Sequence, residues 1–338
     1  MKVFVTGGAG FIGSHACVDL LQANHDVLVY DNLSNSSRKS MNCVKLITNR
    51  SLEFVEGDIR DGNLLSKAIA DFNPDAVIHF AGLKAVGDSV LDPLSYYEIN
   101  VQGSVELLKA MNKVRCNVII FSSSATVYGE AEYLPYDEKH VLNPINPYGQ
   151  TKWIIEKLLH DWVNSNNHNR AICLRYFNPV GAHESGLIGE RPNGTPNNLM
   201  PFIAQVAAGQ RDELFIFGDD FPTRDGSGER DFVHVSDLSM AHLKALEKIE
   251  KLERFEIFNV GSGRGTTVFE LIKAFEIAAG VKIKKKVVSR RVGDSARSWA
   301  DTSRAKKLLN LQSYKTIQRM CEDTWRWQTM NPNGYDLK

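Results

Sequence analysis

The 338-residue chain lacks the features that would tie it to a membrane or to a nucleic acid. Its 40 Lys and Arg residues are balanced by 40 Asp and Glu residues, so no overall charge favours an anionic partner. The sequence contains no apolar run near the ~18 residues that a membrane-spanning helix needs. We therefore expect a protein that binds neither nucleic acids nor membranes.

Cysteine is scarce and is spaced without a pattern. The five cysteines form no C-x-x-C pair, and their odd number suits a reducing compartment better than a disulfide framework. No cluster of His, Cys, Asp and Glu has the spacing of a metal site. The first predicted strand begins at residue 2, which leaves no room for a signal peptide. These absences predict a cytoplasmic protein without a bound metal.

What the chain does have is a glycine-rich turn close to its start. Lys2–Thr6 is typical of a buried parallel strand, and the residues after Gly13 are typical of a helix. Between them, Gly8, Gly10 and Gly13 match G-x-G-x-x-G, with Gly7 as an additional glycine. In this order of strand, turn and helix, backbone N–H groups can face a pyrophosphate. The pattern predicts a dinucleotide-binding unit.

The next predicted strand ends at Asp31, where an acidic residue is expected to bind the 2′-hydroxyl of a ribose. Arg38 and Lys39 could bind a 2′-phosphate, but they follow seven and eight residues later in a predicted loop. We therefore predict NAD rather than NADP as the cofactor.

Tyr148 and Lys152 are four residues apart in a predicted helix, so their side chains share one helical face. An ammonium group near the phenol would favour the phenolate. Because free Tyr titrates near about 10, a role as a base near neutrality needs a large downward pKa shift, from Lys152 and from a cationic nicotinamide ring. The pair is therefore a candidate for proton transfer beside a nicotinamide cofactor.

Polar residues follow several other predicted strands, at the edge of the sheet where open α/β proteins bind their ligands. Asp58 follows one strand, His79-Phe80-Ala81-Gly82 ends another, and Ser122–Ser124 ends a third. The hydroxyl of Ser124 could share a substrate oxygen with the phenol of Tyr148. The glycine pattern of a nucleophile elbow is missing around these serines, which argues against a serine hydrolase.

Strands and helices alternate up to about residue 177, which predicts an α/β fold with a doubly wound parallel (Rossmann) sheet. Residues 1–177 would form the NAD-binding domain. From residue 178 to 338 the chain becomes richer in glycine, proline and asparagine and then resumes short elements, which predicts a smaller C-terminal α/β substrate-binding lobe. Phe255–Val260 is typical of a strand that returns to the main sheet. The clearest predicted strands span 52–56, 76–80, 118–122 and 171–176. The clearest predicted helices span 62–72, 94–113 and 150–165.

Almost the whole chain resembles the extended short-chain dehydrogenase/reductase family and, within it, the UDP-hexose 4-epimerases. The resemblance rests on four stretches, which are Val5-Thr6-Gly7-Gly8-Ala9-Gly10-Phe11-Ile12-Gly13-Ser14-His15, His79-Phe80-Ala81-Gly82-Leu83-Lys84-Ala85-Val86-Gly87, Phe121-Ser122-Ser123-Ser124-Ala125-Thr126-Val127-Tyr128-Gly129 and Arg175-Tyr176-Phe177-Asn178-Pro179-Val180-Gly181-Ala182.

The resemblance implies a redox-neutral inversion at C4 of a UDP-hexose. Tyr148 would remove the O4 proton while the C4 hydride passes to bound NAD, and both would return after the 4-keto sugar has turned over. Ser124 would hydrogen-bond O4, and Lys152 would hold the cofactor ribose and tune the phenol. The three predicted catalytic residues are thus Tyr148, Lys152 and Ser124.

By the same resemblance, two further sets of residues would bind the cofactor and the sugar nucleotide. The cofactor set, which also includes Tyr148 and Lys152, is Gly7, Gly10, Phe11, Ile12, Gly13, Asp31, Asn32, Asp58, Ile59, Phe80, Ala81, Lys84, Asn100, Ser122 and Phe177. The substrate set, in which the arginines would address the diphosphate, is Lys84, Ser124, Thr126, Tyr148, Asn178, Asn198, Leu199, Phe217, Arg230, Arg291, Asp294 and Ser298.

Ser298 departs from the pattern of the resembling family. Epimerases restricted to UDP-glucose and UDP-galactose typically carry Tyr immediately before Trp-Ala-Asp, where this chain has Ser298. A small residue there opens room for an acetamido group and removes a steric obstacle. We therefore predict interconversion of UDP-GlcNAc and UDP-GalNAc, with UDP-glucose and UDP-galactose as further substrates. A strict UDP-glucose 4-epimerase stays open as the alternative, because pocket contacts often change discrimination only modestly.

Two other activities remain as alternatives. A nucleotide-sugar dehydratase on the same scaffold would need acid and base groups, and its Thr-Asp-Glu pattern is replaced here by Ser124-Ala125-Thr126. A noncatalytic NAD sensor would not need Ser124, Tyr148 and Lys152 together. The helical segments 94–113 and 150–165 resemble those through which family members form a four-helix interface, so we also predict a homodimer.

Overall fold

The computed structural model describes residues 1–192, 194–291, 294–311 and 315–335, and these residues contain thirteen strands. The strands are β1 (Lys2–Thr6), β2 (Asp26–Asp31), β3 (Glu53–Glu56), β4 (Ala76–His79), β5 (Val118–Ser124), β6 (Arg170–Tyr176), β7 (Asn178–Val180), β8 (Leu214–Phe217), β9 (Glu229–His234), β10 (Phe255–Val260), β11 (Gly265–Thr267), β12 (Lys285–Val288) and β13 (Arg297–Ser298).

Twelve α-helices connect the strands in the described residues. They are α1 (Phe11–Gln22), α2 (Arg38–Thr48), α3 (Gly62–Phe72), α4 (Val86–Leu91), α5 (Pro93–Tyr96), α6 (Gly103–Val114), α7 (Pro147–Ser165), α8 (Leu199–Ala207), α9 (Val235–Lys248), α10 (Val268–Ala279), α11 (Ser303–Leu309) and α12 (Ile317–Met330). The described helices do not combine the length and apolarity that crossing a bilayer requires.

Seven strands form one parallel sheet in the order β10-β6-β5-β4-β1-β2-β3. The chain builds outward from β1 to β3, crosses to β4 and continues in the opposite direction. The predicted doubly wound sheet is therefore confirmed, and its switch point lies between β1 and β4. At such a point the loops after neighbouring strands diverge and open a crevice for a ligand.

Both faces of the sheet are buried under helices, which explains why its strands are almost uniformly apolar. Apolar residues of α1, α2 and α9 form one core with the sheet. Those of α3, α6 and α7 form a second core on the opposite face. The carboxyl ends of the strands thus lie at one edge of a rigid three-layer sandwich.

The structure corrects two local predictions. Residues 94–113 form the end of α5, a π-helical turn over Tyr97–Gln102 and most of α6 rather than one uniform helix. Arg38 and Lys39, expected in a loop, begin α2, where the hydroxyl of Ser37 accepts a hydrogen bond from the backbone N–H of Lys39. A capping serine at this position satisfies a helical N–H and lets the helix start there.

Most of the second half of the chain builds a smaller α/β unit with its own apolar core. Helices α8, α10 and α12 pack around apolar residues of β7, β8 and β9. Strand β9 pairs with β7, β11 and β13, and β8 pairs with β12. Strand β10 crosses back and pairs with β6, as the pattern of Phe255–Val260 predicts.

Candidate active site

The glycine turn after β1 is tightly packed against the loop after β4. Gly7 has a φ of +69°, and a Cβ added to it would lie 2.6 Å from the backbone nitrogen of Ala81. A Cβ on Gly13 would lie 2.3 Å from the carbonyl oxygen of Gly7. At Gly10 the same oxygen, 3.4 Å away, is the nearest atom that a Cβ would meet. Gly7 and Gly13 are thus required by the fold of the turn, whereas Gly10 is not.

The N-terminus of α1 is open to a ligand. Gly10 is its N-cap residue and has no side chain that could accept from the first N–H groups. Phe11, Ile12 and Gly13 form the first turn of the helix, whose backbone N–H groups have no intrahelical acceptors. Such a helix start attracts an anion through its N–H groups and its dipole. This edge of the turn fits a pyrophosphate group.

Asp31 lies at the carboxyl end of β2 and is almost fully buried. Its carboxylate accepts hydrogen bonds from the backbone nitrogens of Ala9 (3.0 Å) and Leu33 (2.9 Å) and from the hydroxyl of Ser36 (2.8 Å). A carboxylate offers about four acceptor positions, so one remains for a hydroxyl group. The side chain is therefore both fixed by the glycine turn and able to accept from a ribose.

Asn32 and Asp58 lie beside Asp31 and hydrogen-bond each other at 3.0 Å. The guanidinium of Arg60 donates to both oxygens of Asp58 at 2.9 Å and lowers the pKa of that carboxyl to about 2. Ile59 is buried against Gly103 at the start of α6. These residues form a polar wall with an apolar base next to the end of β2.

Phe80 and Ala81 follow β4 on the other side of the switch point. The ring of Phe80 packs on His242 with a centroid distance of 4.7 Å, and the backbone N–H of Ala81 donates to the hydroxyl of Thr6. Asn100 lies in the π-helical turn. Its side chain accepts from the N–H of Leu83 and donates to its carbonyl, which fixes the backbone of the loop that leads to Lys84.

Tyr148 projects from the first turn of α7, whose start is fixed by sequence. Pro147 occupies the first helical position, and the side chain of Asn146 accepts from the N–H of Gly149 at 2.8 Å. The hydroxyl of Ser124, the last residue of β5, lies near the phenol of Tyr148 and acts to lower the pKa of that phenol. The hydroxyl of Thr126 donates to the hydroxyl of Ser124 at 2.9 Å. The structure therefore brings the phenol and the serine hydroxyl together.

Lys152 lies one turn further along α7 and is buried. Its ammonium group donates to the carbonyl of Ser122 at 2.7 Å, lies 4.8 Å from the ring centroid of Phe121 and lies 5.8 Å from that of Tyr148. Burial lowers the pKa of Lys152 to about 8. The lysine is thus near the phenol but is anchored to the strand that carries Ser124.

The pKa of Tyr148 differs from the sequence-based expectation. Burial raises it above the usual value for Tyr, and the nearby hydroxyl of Ser124 only partly opposes this effect. Loss of water on burial destabilises the phenolate by more than the surrounding protein groups stabilise it. The protein alone therefore does not supply the downward shift that a base near neutrality requires, and a bound cation would have to contribute it.

The predicted substrate side chains Lys84 and Asn198 converge on one carboxylate that sequence reasoning missed. Glu190 accepts from the ammonium of Lys84 at 3.0 Å and from the amide of Asn198 at 2.7 Å. Its backbone carbonyl accepts from the indole of Trp327, which fixes its position. No periodicity or motif marks Glu190 in the sequence, because Lys84 lies 106 residues away and Asn198 lies eight residues away without a regular spacing.

Arg230, Arg291, Asp294 and Ser298 form the other predicted substrate group. Ser298 on β13 is the register partner of Arg230 on β9. Arg291 pairs with Asp294 at 3.1 Å, and its guanidinium lies 4.3 Å from the ring centroid of Phe217. Burial lowers the pKa of Arg230 and Asp294 opposes this shift, so the two groups are close.

Asp231, a second residue that the sequence did not reveal, holds this group in place. Its buried carboxylate accepts from the backbone nitrogens of Ser262 (2.6 Å), Gly263 (3.0 Å) and Ala300 (3.1 Å). Asp231 follows Arg230 directly, and Ala300 lies two residues after Ser298. One carboxylate thus ties β9 to the Ser298 segment.

The remaining predicted residues border the same region. Phe177 is buried after β6 and donates its N–H to the carbonyl of Val260. Asn178 is exposed at the start of β7, and Leu199 begins α8 directly after Asn198. No group of three or more His, Cys, Asp or Glu side chains that could hold a metal occurs in the described parts of the chain.

Comparisons with known proteins agree with this geometry. The model of the NAD dependent epimerase/dehydratase family matches residues 3–261. A UDP-glucose 4-epimerase of Bacillus subtilis is 49% identical over 335 residues, with 99% of each chain covered.

The chain belongs to this family.

Similar solved structures are also epimerases. A UDP-glucose 4-epimerase of Stenotrophomonas maltophila, solved with bound NAD and formylated UDP-arabinopyranose, has a TM-score of 0.96 at 46% identity, covering 98% of this chain and 99% of that one. A UDP-Glc/GlcNAc 4-epimerase of Campylobacter jejuni has a TM-score of 0.85 at 37% identity, covering 97% and 99%.

Proposed function

We propose that this protein interconverts UDP-glucose and UDP-galactose by inverting C4 of the hexose, with NAD as a cofactor that is regenerated in every turnover. The observation that carries the proposal is the placement of the hydroxyl of Ser124 beside the phenol of Tyr148, with Lys152 one turn away. Two hydroxyl groups arranged in this way can share one sugar oxygen. The names of the similar proteins supply the substrate class.

The residues around the glycine turn fit NAD. The open N-terminus of α1 suits a pyrophosphate, and the packed turn lets a ligand approach the backbone at Gly10. Asp31 retains one acceptor position for a ribose hydroxyl. Its negative charge would repel a 2′-phosphate. The diphosphate of NAD would be lined by Gly7, Phe11, Ile12 and Gly13. The part of NAD beside Asp31 would be lined by Asn32, Asp58 and Ile59.

When bound, NAD supplies the acceptor and donor for the C4 hydride. Tyr148 accepts the proton of the O4 hydroxyl as the C4–H bond breaks, and Ser124 donates a hydrogen bond to O4. After the 4-keto sugar presents its other face, Tyr148 returns the proton to O4. One proton and one hydride leave and return, so the reaction is redox-neutral. The ammonium of Lys152 stabilises the phenolate form of Tyr148, which is present before the proton is accepted and again after it is returned.

The similar proteins favour the strict alternative over the predicted N-acetylated substrates. Their names specify UDP-glucose in Bacillus subtilis and in Stenotrophomonas maltophila. One observation keeps UDP-GlcNAc and UDP-GalNAc as second candidate substrates. The small side chain of Ser298 is the register partner of Arg230, and the similar Campylobacter jejuni protein is named a UDP-Glc/GlcNAc 4-epimerase. A serine here leaves space that a tyrosine would fill.

The test is incubation of the purified protein with UDP-glucose, UDP-galactose or UDP-GlcNAc, without added NAD and then with it, with products resolved by NMR. We expect both UDP-glucose and UDP-galactose to appear from either one. A 4-keto-6-deoxy product would instead indicate a dehydratase. No product with added NAD would remove the proposed function.

The Ser298→Tyr variant decides the role of this position. If the space beside Ser298 admits an acetamido group, the variant loses any turnover of UDP-GlcNAc and keeps that of UDP-glucose. Ser295→Tyr, a change of the same size three residues earlier in the chain, is the control. Equal effects of both variants on both sugars would assign Ser298 no part in selection.

We further propose a homodimer formed through α5, the π-helical turn, α6 and α7. Leu91 and Leu94 are 85% and 79% exposed beside this group, and Tyr97 is partly exposed. Light scattering should give twice the chain mass. Leu94→Glu should shift it to the monomer, whereas Leu46→Glu, at a 73% exposed position of α2, should not. A monomeric parent protein would contradict the proposal.

The assignment of NAD binding to residues 1–177 and of UDP-sugar binding mainly to residues 178–338 is part of the same proposal. The glycine turn, Asp31 and Tyr148 belong to the first part, whereas Asn198, Arg230 and most of the other predicted substrate residues belong to the second. Because β10 of the second part completes the main sheet, we expect the parts to unfold together. Calorimetry showing two separate transitions would contradict this expectation.

A further inference from the structure

Behind the proposed catalytic residues lies a buried charged pair that the reaction described above does not use. Glu156 and Arg175 are 3% and 1% exposed. Arg175 donates to the Glu156 carboxylate from Nε at 3.0 Å and from Nη2 at 2.6 Å. Replacing such a pair by apolar side chains is often neutral or stabilising, so stability alone does not explain why charges occupy this position.

Glu156 lies on the face of α7 that carries the proposed catalytic residues. Tyr148, Lys152 and Glu156 follow one another at intervals of four, so they form one row along the helix. This spacing was visible in the sequence, although nothing there showed that Glu156 would face inward. The carboxylate is thus one turn from the ammonium of Lys152.

The pair connects this helix to the strands beneath it. The hydroxyl of Ser123 donates to Glu156 at 2.5 Å, directly next to Ser124. Arg175 is the register partner of Ser123 on β5 and of Asn259 on β10. Its Nη1 donates to the hydroxyl of Tyr128, which donates to Asn259 at 2.6 Å. The network therefore fixes α7 to three neighbouring strands.

The Glu156 carboxylate also affects the pKa of Lys152. Burial lowers the pKa of Lys152 to about 8, and Glu156 is the group that raises it. Other titratable groups packed around the lysine do not carry a negative charge near neutrality. Burial lowers the pKa of His79 to about 3, so it is neutral, and Tyr148 and Tyr176 have raised pKa values. Tyr148 is on α7, His79 on β4 and Tyr176 on β6, and Arg175, also on β6, pairs with Glu156.

We propose that Glu156 is a positioning residue for the epimerase reaction: held by Arg175 and Ser123, it fixes Tyr148 and Lys152 against Ser124 and supplies the charge that keeps Lys152 protonated. This inference rests on the proposed function. Because the structure gives the parent Lys152 a pKa near 8, its cation is present below that pH and is lost above it. Without the carboxylate the loss occurs at lower pH.

The experiment compares pH profiles of kcat for the epimerisation of UDP-galactose. Glu156→Gln should move the descending alkaline limb to lower pH. For a shift of about one pKa unit, kcat at pH 8 should fall about fivefold below that of the parent and the loss at pH 6.5 should be smaller, because the protonated fraction of Lys152 at pH 8 falls from about one half to about one eleventh. KM should change less than kcat. Glu156→Asp, which keeps the charge, should restore the limb towards its parent position.

Glu156→Gln leaves the Arg175 cation unpaired and can fail to fold. The double variant Glu156→Gln/Arg175→Gln removes both charges and should show a smaller shift in the same direction, because loss of the Arg175 cation offsets part of the effect of the lost carboxylate. Asp323→Asn is the matched control, since it removes another fully buried carboxylate that pairs with arginines, on α12. It should lower the melting temperature without moving the limb.

The outcomes separate this inference from the proposed function. A parent protein without epimerase activity would remove the proposed function. An active parent whose double variant folds and keeps the parent pH profile would overturn the role of Glu156 alone. A shift in the double variant but not in Asp323→Asn would support it.

Discussion

The two halves of the proposed cleft are built in different ways. The cofactor half consists largely of backbone from one local segment, the turn between β1 and α1, packed so tightly that Gly7 and Gly13 admit no Cβ. The substrate half consists of side chains from several segments that form partly exposed ion pairs, some between distant residues, as Lys84 with Glu190, and some within one segment, as Arg291 with Asp294. A rigid backbone site suits a retained cofactor, whereas partly exposed ion pairs can exchange partners when a sugar nucleotide enters.

Tyr148 lies where the two halves meet, and its loss should have the largest effect. Tyr148→Phe keeps the packing of the ring beside Tyr96 but removes the proton acceptor. We expect kcat to fall about 10³-fold, within the range of general acid–base catalysis, while the binding of NAD and of UDP-sugar changes little. Stopped turnover with retained NAD fluorescence quenching would be the expected readout. A variant with more than a tenth of the parent kcat would exclude Tyr148 as the base.

The glycine turn provides a matched pair of variants. In Gly13→Ala the added Cβ would meet the backbone of Gly7 and Gly8, so both stability and NAD binding should be lost. In Gly10→Ala the φ of −75° suits alanine and the nearest atom is 3.4 Å away, so the fold should persist. Because the methyl group occupies the edge where a pyrophosphate would approach, NAD affinity should fall about 10²-fold.

Thermal unfolding and NAD titration measure the two effects separately. Equal melting temperatures of the parent and Gly10→Ala, together with weakened NAD binding, would support a backbone site for the cofactor. If Gly10→Ala bound NAD as tightly as the parent, the pyrophosphate would not lie at this turn.

The cofactor half was also the more predictable half. A strand, a glycine turn and a helix are local features, so the turn and the role of Asp31 could be predicted from residues 1–31, and the sheet from the alternation of strands and helices up to about residue 177. The row of Tyr148 and Lys152 followed from helical spacing. Glu190 and Asp231 could not be predicted in this way, because their partners lie up to 106 and 69 residues away in the chain. The raised pKa of Tyr148 depends on burial, which spacing does not reveal.

Asp231 tests whether the substrate half depends on long-range contacts. In Asp231→Asn the new amide group would face N–H donors where the carboxylate now accepts from Ser262, Gly263 and Ala300. A buried donor opposite donors costs about 1–3 kcal/mol and should loosen the Ser298 segment. We expect KM for UDP-galactose to rise about tenfold with little change in NAD affinity. Loss of NAD binding together with substrate binding would show that the two halves are not independent.

The Glu190→Gln variant should have the smallest effect. It tests whether Lys84 exchanges its partner Glu190 for the substrate. Lys84 is half exposed, so its ion pair with Glu190 is worth at most about 1 kcal/mol and its removal should leave the melting temperature unchanged. Glu190→Gln also removes a negative charge beside the place proposed for an anionic sugar nucleotide. Both effects free Lys84 and Asn198 for the substrate, so KM should fall about two- to fivefold at low ionic strength and less at high salt.

Glu247→Gln breaks a comparable exposed pair with Lys244 on α9 and should leave KM unchanged. A rise in KM for Glu190→Gln would instead mean that Glu190 binds the substrate, and the substrate half would then be as preformed as the cofactor half.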